Sequence, residues 1–356
     1  MLNKVYKRVW GKWITLVLIA LIAILLALYT FWHIMFDTSY GQAGDKMWVS
    51  IPQGSSTADI GALLQSHHVV ASAFWFKIYV LLVDQKDLQA GTYRFSSGMT
   101  ISQVVSLLHQ GTAQFSTEVT VPEGFTVSQI AKLLAARHIC SERAFYKLVQ
   151  HGRFPYWFMN QLPHTKEIRY RLEGYLFPDT YEFVPDESPY DVVNTFLSET
   201  NRVLSHSIRR AIAKRHETLN QVLTVASMVE REVKVPSERR LVASVIYNRL
   251  RQHPPMKLQI DATVLYGLGR TTTDLTPADL RLQSPYNTYM HAGLPPGPIA
   301  NPGLASILAA IYPAHTKYLY YVARFDGSGR QYFAVTYSQQ LRNEARSQAN
   351  LARLSK

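Results

Sequence analysis

Hydrophobic positions divide the chain into three regimes. Residues 13–36 read "WITLVLIALIAILLALYTFWHIMF", without one Asp, Glu, Lys or Arg. As a helix this run would be about 36 Å long, enough to cross a hydrocarbon layer of roughly 30 Å with some tilt. From residue 49 the pattern shortens to β-prone pieces, each ending at a Pro-x-Gly turn before apolar residues at helical spacing. "VSIPQGSSTADIGALLQSHHVV" (Val49 to Val70) and "VTVPEGFTVSQIAKLLAARHIC" (Val119 to Cys140) align without a gap. A shorter copy, "SGMTISQVVSLLHQG" (Ser97 to Gly111), lies between them. Each unit predicts strand, turn and amphipathic helix, with Thr126 or Ser128 as the cap and Ile130, Leu133 and Leu134 on the buried face. "LQAGTYRF" (Leu88 to Phe95) predicts a further strand.

From Asn220 the helical period dominates. "NQVLTVASMVEREV" has apolar residues at Val222, Val225, Ala226, Val229 and Val233. A second helix is expected after Pro236, capped by Ser237, with Leu241, Val242, Val245, Ile246 and Leu250 buried. Glu230 falls at the edge of the first apolar stripe, above the small residues Ala226 and Ser227. Small neighbours leave room for a ligand, and a carboxyl shielded from water on one side holds its proton more readily, which suits a general acid. The plain alternative is a boundary Glu paired with Lys234 one turn on. Glu232 faces another side of this helix and is expected to be solvated.

Charge adds a direction. Lys4, Lys7, Arg8 and Lys12 precede the apolar run, and Asp37, Asp45 and Lys46 follow it. The positive-inside rule then keeps residues 1–12 in the cytoplasm and exports the rest. Trp10, Trp13, Tyr29 and Trp32 suit the two interfaces. The bulky exit "YTFWHIMFDTSY" lacks a small-x-small cleavage site, so a retained anchor is expected rather than a cleaved leader. The formal charge of +12 favours an anionic partner, such as nucleic acid, anionic lipid or an acidic polymer. Export and the lack of any nucleic-acid motif argue against nucleic acid. Cys140 is the only cysteine, so an intramolecular disulfide and a Cys-based zinc cluster are excluded.

Three segments are rich in Gly, Pro and amides yet keep aromatics: Tyr170 to Phe183, Leu258 to Gly269 and Ser284 to Gly303. They are expected to be loops, and amides with aromatic faces suit sugar recognition. The sequence holds no His-Glu-x-x-His, Gly-x-Ser-x-Gly or Ser-x-x-Lys. His67, His68, His138, His291 and His315 have no ligand spacing, so no metal and no cofactor is expected. After residue 217 the carboxylates are Glu230, Glu232, Glu238, Asp261, Asp274, Asp279, Asp326 and Glu344, a short list for acid–base work.

The repeat units loosely resemble the lysin-motif modules that bind N-acetylglucosamine-containing glycans. The whole chain to about residue 335 closely resembles the endolytic murein transglycosylases, the YceG-like or MltG family. The marks are "LEGYLFPDTY", "ASMVEREV", "ASVIYNRL", "LQIDATVLYG", "YNTY", "GLPPGPIANPG" and "YLYYVA", in that order. The resemblance implies cleavage within peptidoglycan glycan strands at the membrane, leaving 1,6-anhydro-N-acetylmuramic acid ends. It implies Glu230 as the catalytic residue, with Gln259, Asp261, Asn287 and Tyr289 in the sugar cleft. Glu173 could also reach the site, or could equally be structural. Two departures stand out: Ile260-Asp261-Ala262-Thr263 where the family has Asp-Pro-Thr after a small polar residue, and Gln331 where it has His.

The expected fold class is α+β: a single N-terminal transmembrane helix (13–36), a lysin-motif-like α+β region (45–115) and a mixed α/β catalytic domain (116–356) that starts with a second lysin-motif-like unit. The resemblance further implies an inner-membrane, single-pass enzyme with its catalytic domain in the periplasm and peptidoglycan synthases as partners. The rival reading is an inactive, membrane-tethered glycan-binding scaffold. A weaker one is a hydrolase releasing reducing ends.

Overall fold

A computed structural model describes residues 2–36, 46–85, 87–96, 98–111, 116–163, 165–270 and 275–354. Asp37, Asp45, Ser97 and Asp274 lie outside the described residues, as do the side chains of Lys4, Lys7, Arg8, Trp10, Lys12 and Lys46. The chain forms two compact units, Met1–Ser116 and Thr117–Lys356.

The first unit opens with helix α1 (Leu2–Phe36), whose Leu18–Phe36 portion is apolar, exposed as far as Ile34 and long enough for one membrane span. Strands β1 (Lys46–Ile51) and β2 (Gly91–Ser96) pair antiparallel, with Lys46 opposite Ser96 and Ile51 opposite Gly91. Between them run α2 (Thr57–Ser66) and α3 (Ala73–Leu82), and α4 (Ile101–Gln110) follows. Alternation along β2 sends Tyr93 and Phe95 into a core with Leu64, Phe76, Val80 and Leu108. At the end of α1, Trp32 and Phe36 meet Trp75 and Tyr79 of α3 in tilted and edge-on ring contacts.

The repeat is real at the level of hydrogen bonds. Ser56, Thr100 and Thr126 each start their helix with a reciprocal capping box, to Asp59, Gln103 and Gln129 respectively. Thr126, not Ser128, is the cap. In the two full copies the helix ends on a left-handed histidine, His68 (φ 55°) and His138 (φ 56°), whose N–H donates to the carbonyl of Gln65 and of Ala135. That backbone role accounts for His68 and His138 where they stand.

The second unit begins with β3 (Thr117–Thr120), α5 (Val127–Ala136) and α6 (Glu142–His151). Strand β4 (Thr180–Phe183) returns antiparallel to β3. Helices α7 (Pro189–Val203) and α8 (His206–Lys214) lead to α9 (Leu219–Glu232), which is buried without interruption from Val222 to Val229. A helix apolar on every side is a core helix. Helices α10 (Arg239–Leu250), α11 (Asp261–Leu268) and α12 (Leu304–Ile311) pack against it. Strands β5 (Tyr320–Ala323) and β6 (Gln331–Ala334) and helix α13 (Tyr337–Leu354) complete the unit.

Two local expectations fail. Ser237 does not cap α10: Pro236 starts a single 3₁₀ turn closed by the Glu238 N–H on the Val235 carbonyl (2.9 Å), and α10 begins only at Arg239. Leu258 to Gly269 is not a loop. Its centre is α11, with Ala262 to Tyr266 buried, and Gly269 ends it in the left-handed region (φ 71°). Val264, Leu265 and Tyr266 outweigh the loop-like composition around them.

Candidate active site

Glu230 occupies the last turn of α9, where the buried stripe meets the turns 122–125 and 301–303. Its side chain is 7% exposed. One carboxylate oxygen accepts the Gly303 N–H at 3.0 Å, and the other lies 3.4 Å from Arg239 Nη2. Gly303 is the N-cap residue of α12, and Glu230, from a distant part of the chain, accepts its backbone N–H, the place that a capping-box side chain would take. The partner is therefore Arg239, not Lys234. Arg239 is itself held by its Nε–H on Ser306 Oγ (3.1 Å). Glu123 approaches the same guanidinium at 3.7 Å. Burial first, then the charge of Glu230, pushes the Glu123 carboxyl up, and Arg239 opposes this. Two carboxyls and one guanidinium thus share a site.

Neither Glu123 nor Arg239 was anticipated from sequence. One signal for Glu123 existed: the matched place in the first repeat holds Gln53. Nothing in the local pattern marked Arg239, which reaches Glu230 only after the chain turns at Val235–Glu238.

Glu232 is not solvated. It lies partly buried on the opposite flank of α9, where Tyr321 O–H donates to it at 3.1 Å. Burial, then the nearby charge of Asp261, pushes its carboxyl up to about 7. Asp261 is exposed at the start of α11 and accepts from Tyr289 O–H at 2.5 Å. Gln259 is exposed beside it, with a left-handed backbone (φ 51°) and its N–H on the Thr288 carbonyl. Asp261 and Tyr289 therefore gather around Glu232 rather than around the Glu230 carboxyl.

Asn287 and Glu173 serve the interior. Asn287 is fully buried; its amide donates to the Leu280 and Leu282 carbonyls (3.0 and 2.9 Å), and its oxygen accepts the Tyr289 N–H. Glu173 is 1% exposed and accepts from the Val127 N–H (2.9 Å), Tyr266 O–H (3.0 Å) and Asn301 Nδ2 (3.2 Å). Burial pushes it up to about 8 despite these three donors. Asn301 also accepts the Gly174 and Leu176 N–H groups, so Glu173 and Asn301 together fasten the turn 122–125 and the turn 301–303 that flank Glu230. Tyr175 and Tyr286 of the loop segments and Tyr266 of α11 are buried as well, which removes them from sugar stacking. Gln331, at the place expected for a His, donates to the Glu232 carbonyl (3.1 Å) at the end of α9.

The site can be compared with known proteins. A family model described as the YceG-like family matches residues 49–346. An endolytic murein transglycosylase of Bacillus subtilis (strain 168) is 35% identical over 287 residues, covering 78% of this chain and 79% of the relative. A protein of the same name from Streptococcus pneumoniae (serotype 2, strain D39) is 31% identical over 320 residues. That match takes in 83% of this chain and spans 57% of the longer relative. The crystal structure of a yceG-like protein from Listeria monocytogenes superposes with a TM-score of 0.58 at 34% identity, covering 84% of this chain and 99% of that one.

Proposed function

The chain belongs to the YceG-like family, and on that premise we propose that it is a membrane-anchored lytic transglycosylase that cuts inside peptidoglycan glycan strands. The observation that carries this reading is the carboxyl of Glu230, held by Gly303 and Arg239 at the end of a core helix. Most glycosidases need two carboxyls, one as acid and one as nucleophile or base. A lytic transglycosylase needs one, because the substrate's C6 hydroxyl replaces water. Glu230 gives its proton to the glycosidic oxygen as the bond from C1 breaks. The carboxylate left behind is met by the Gly303 N–H and the Arg239 guanidinium. It then takes the proton of the C6 hydroxyl as that oxygen closes on C1. The product is a 1,6-anhydromuramoyl end, no water is consumed, and Glu230 regains its proton.

The apolar α1 supports a single-pass anchor, and the basic N-terminal residues support a cytoplasmic N-terminus with the rest in the periplasm of an inner-membrane protein. Nascent strands at the membrane are the substrate this geometry would meet, and strand termination the consequence. Synthases that make those strands are the natural partners. Gln259 and Asp261, both exposed, and the half-buried Tyr289 that donates to Asp261 stand as contacts to the sugar by their family position. The β-α-α-β order of the first unit supports a glycan-holding role for residues 46–96.

Glu230→Gln keeps an oxygen for the Gly303 N–H but cannot supply the proton. It should lower release of anhydro products from purified sacculi by at least a thousandfold with the melting temperature close to wild type. Activity within tenfold of wild type would reject Glu230 as the acid. Products heavier by one water would mean a hydrolase. No products from the wild type on any glycan would leave the scaffold reading.

A further inference from the structure

Beside the Glu230 turn lies a cavity of about 390 Å³, within the usual size of a ligand pocket. Its rim carries four cations, Lys132 of α5, Arg169, Arg231 of α9 and Arg270, and among the described lining residues there is no carboxylate. Lys132 and Arg231 form no ion pair with the described residues, while Arg270 is paired with Asp279 at 3.1 Å. Arg169 is fixed by its Nη1 bond to the Tyr266 carbonyl (2.7 Å) and lies 5.7 Å over the rings of Tyr170 and Tyr266. Phe125 and Tyr170 add apolar wall. A pocket with unpaired cations and aromatic walls fits an organic anion better than a bare inorganic one, because the rings reward methylene groups that a diphosphate lacks.

Position narrows the ligand. Phe125 follows Gly124, where an added methyl would sit 3.6 Å from both Glu230 Cγ and Arg231 Cδ. The cavity edge and the acid proposed for catalysis therefore share one spot. A muramoyl sugar carries its peptide on the lactyl ether of C3, two ring carbons from the cleaved C1, and that peptide bears free carboxylates. We infer that this pocket holds the acidic peptide of the muramoyl residue at the cleaved bond. The inference rests on the glycan-cleaving reading above, and its test separates the two.

The full chain in detergent carrying Glu230→Gln would be titrated with a free tetrapeptide bearing two carboxylates, and with inorganic pyrophosphate. The active chain would be assayed in parallel on glycan strands with and without peptides. Lys132 is exposed, so Lys132→Glu leaves packing alone. It should weaken peptide binding at least tenfold and lower the preference for peptide-bearing strands several-fold, mainly through KM. Unaltered peptide binding in Lys132→Glu, tighter binding of pyrophosphate than of peptide, or equal losses on both kinds of strand would overturn the assignment. If the unmutated chain cleaves neither strand, the lytic reading falls, and the peptide titration alone still decides what the pocket binds.

Discussion

Glu230 and Glu232 stand two residues apart on α9, yet their carboxyls meet different chemistry. Glu230 faces two donors, Gly303 N–H and Arg239; Glu232 faces one tyrosine and the charge of Asp261. Its place at the end of an apolar stripe singles out Glu230 in the sequence without choosing between an acid and a boundary residue, and helical spacing gives Glu232 as solvated because it says nothing about what folds back over the far face. Tyr321, eighty-nine positions away, covers it. Glu232→Gln preserves an acceptor for Tyr321 and removes a carboxyl whose proton is lost near pH 7. The variant should retain anhydro-product formation within tenfold of wild type, with its pH profile altered around 7. A loss as deep as that of Glu230→Gln would move the catalytic role to Glu232. Gly303 tests the other flank. A methyl there would overlap the Glu123 carboxylate, so Gly303→Ala must displace Glu123 from Arg239. A fall of tenfold or more in kcat, with little change in melting temperature, is expected; wild-type kcat would show that Glu123 has no part in the site.

At the scale of elements, the site depends on a buried polar knot beneath it. Glu173 and Asn301 tie the entry to α5, the turn after Gly174 and the entry to α12, and Tyr266 brings in α11. Helices α9, α10 and α5 were readable from period alone. The knot was not, because its members lie up to 176 positions apart and a Glu in a Gly-containing turn looks solvated. Burial makes this knot sensitive to pH. The Glu173 carboxyl rises from 4.5 to about 8 in the folded unit. A raised carboxyl binds more protons folded than unfolded, so its stabilisation is full below pH 4.5 and fades as pH climbs through 8. Glu187 and Glu232, both pushed up to about 7, act in the same direction. Melting temperature should therefore decline from pH 5 to pH 8. Glu173→Gln, permanently neutral, should flatten the part of that decline between 7 and 8; its oxygen keeps the Val127 N–H and Asn301 Nδ2, and its NH2 group can no longer accept from Tyr266 O–H. A decline as steep as in the wild type would mean that Glu173 is not the group being titrated.

For the whole molecule, the decisive issue is where residues after α1 reside. Length and apolarity of α1 were plain from sequence, because a membrane span is written in composition and needs no tertiary partner. Orientation rests on the charges before it, and a retained anchor on the bulky exit. The single cysteine makes both testable. Cys140 is 9% exposed, and burial, aided by the charge of Glu187, pushes its thiol up to about 11, so it is a poor nucleophile at neutral pH. Lys214 is exposed at the end of α8, so Lys214→Cys presents one reactive thiol. A membrane-impermeant maleimide, added to cells whose outer envelope is opened, should label Lys214→Cys and spare the unmodified chain. The labelled protein should stay in the membrane fraction at 40.5 kDa. Labelling only after the inner membrane is lysed would invert the proposed orientation. A soluble labelled product shortened by the mass of the first helix would make that helix a leader, and access to glycan would then come from its basic surface instead of a tether.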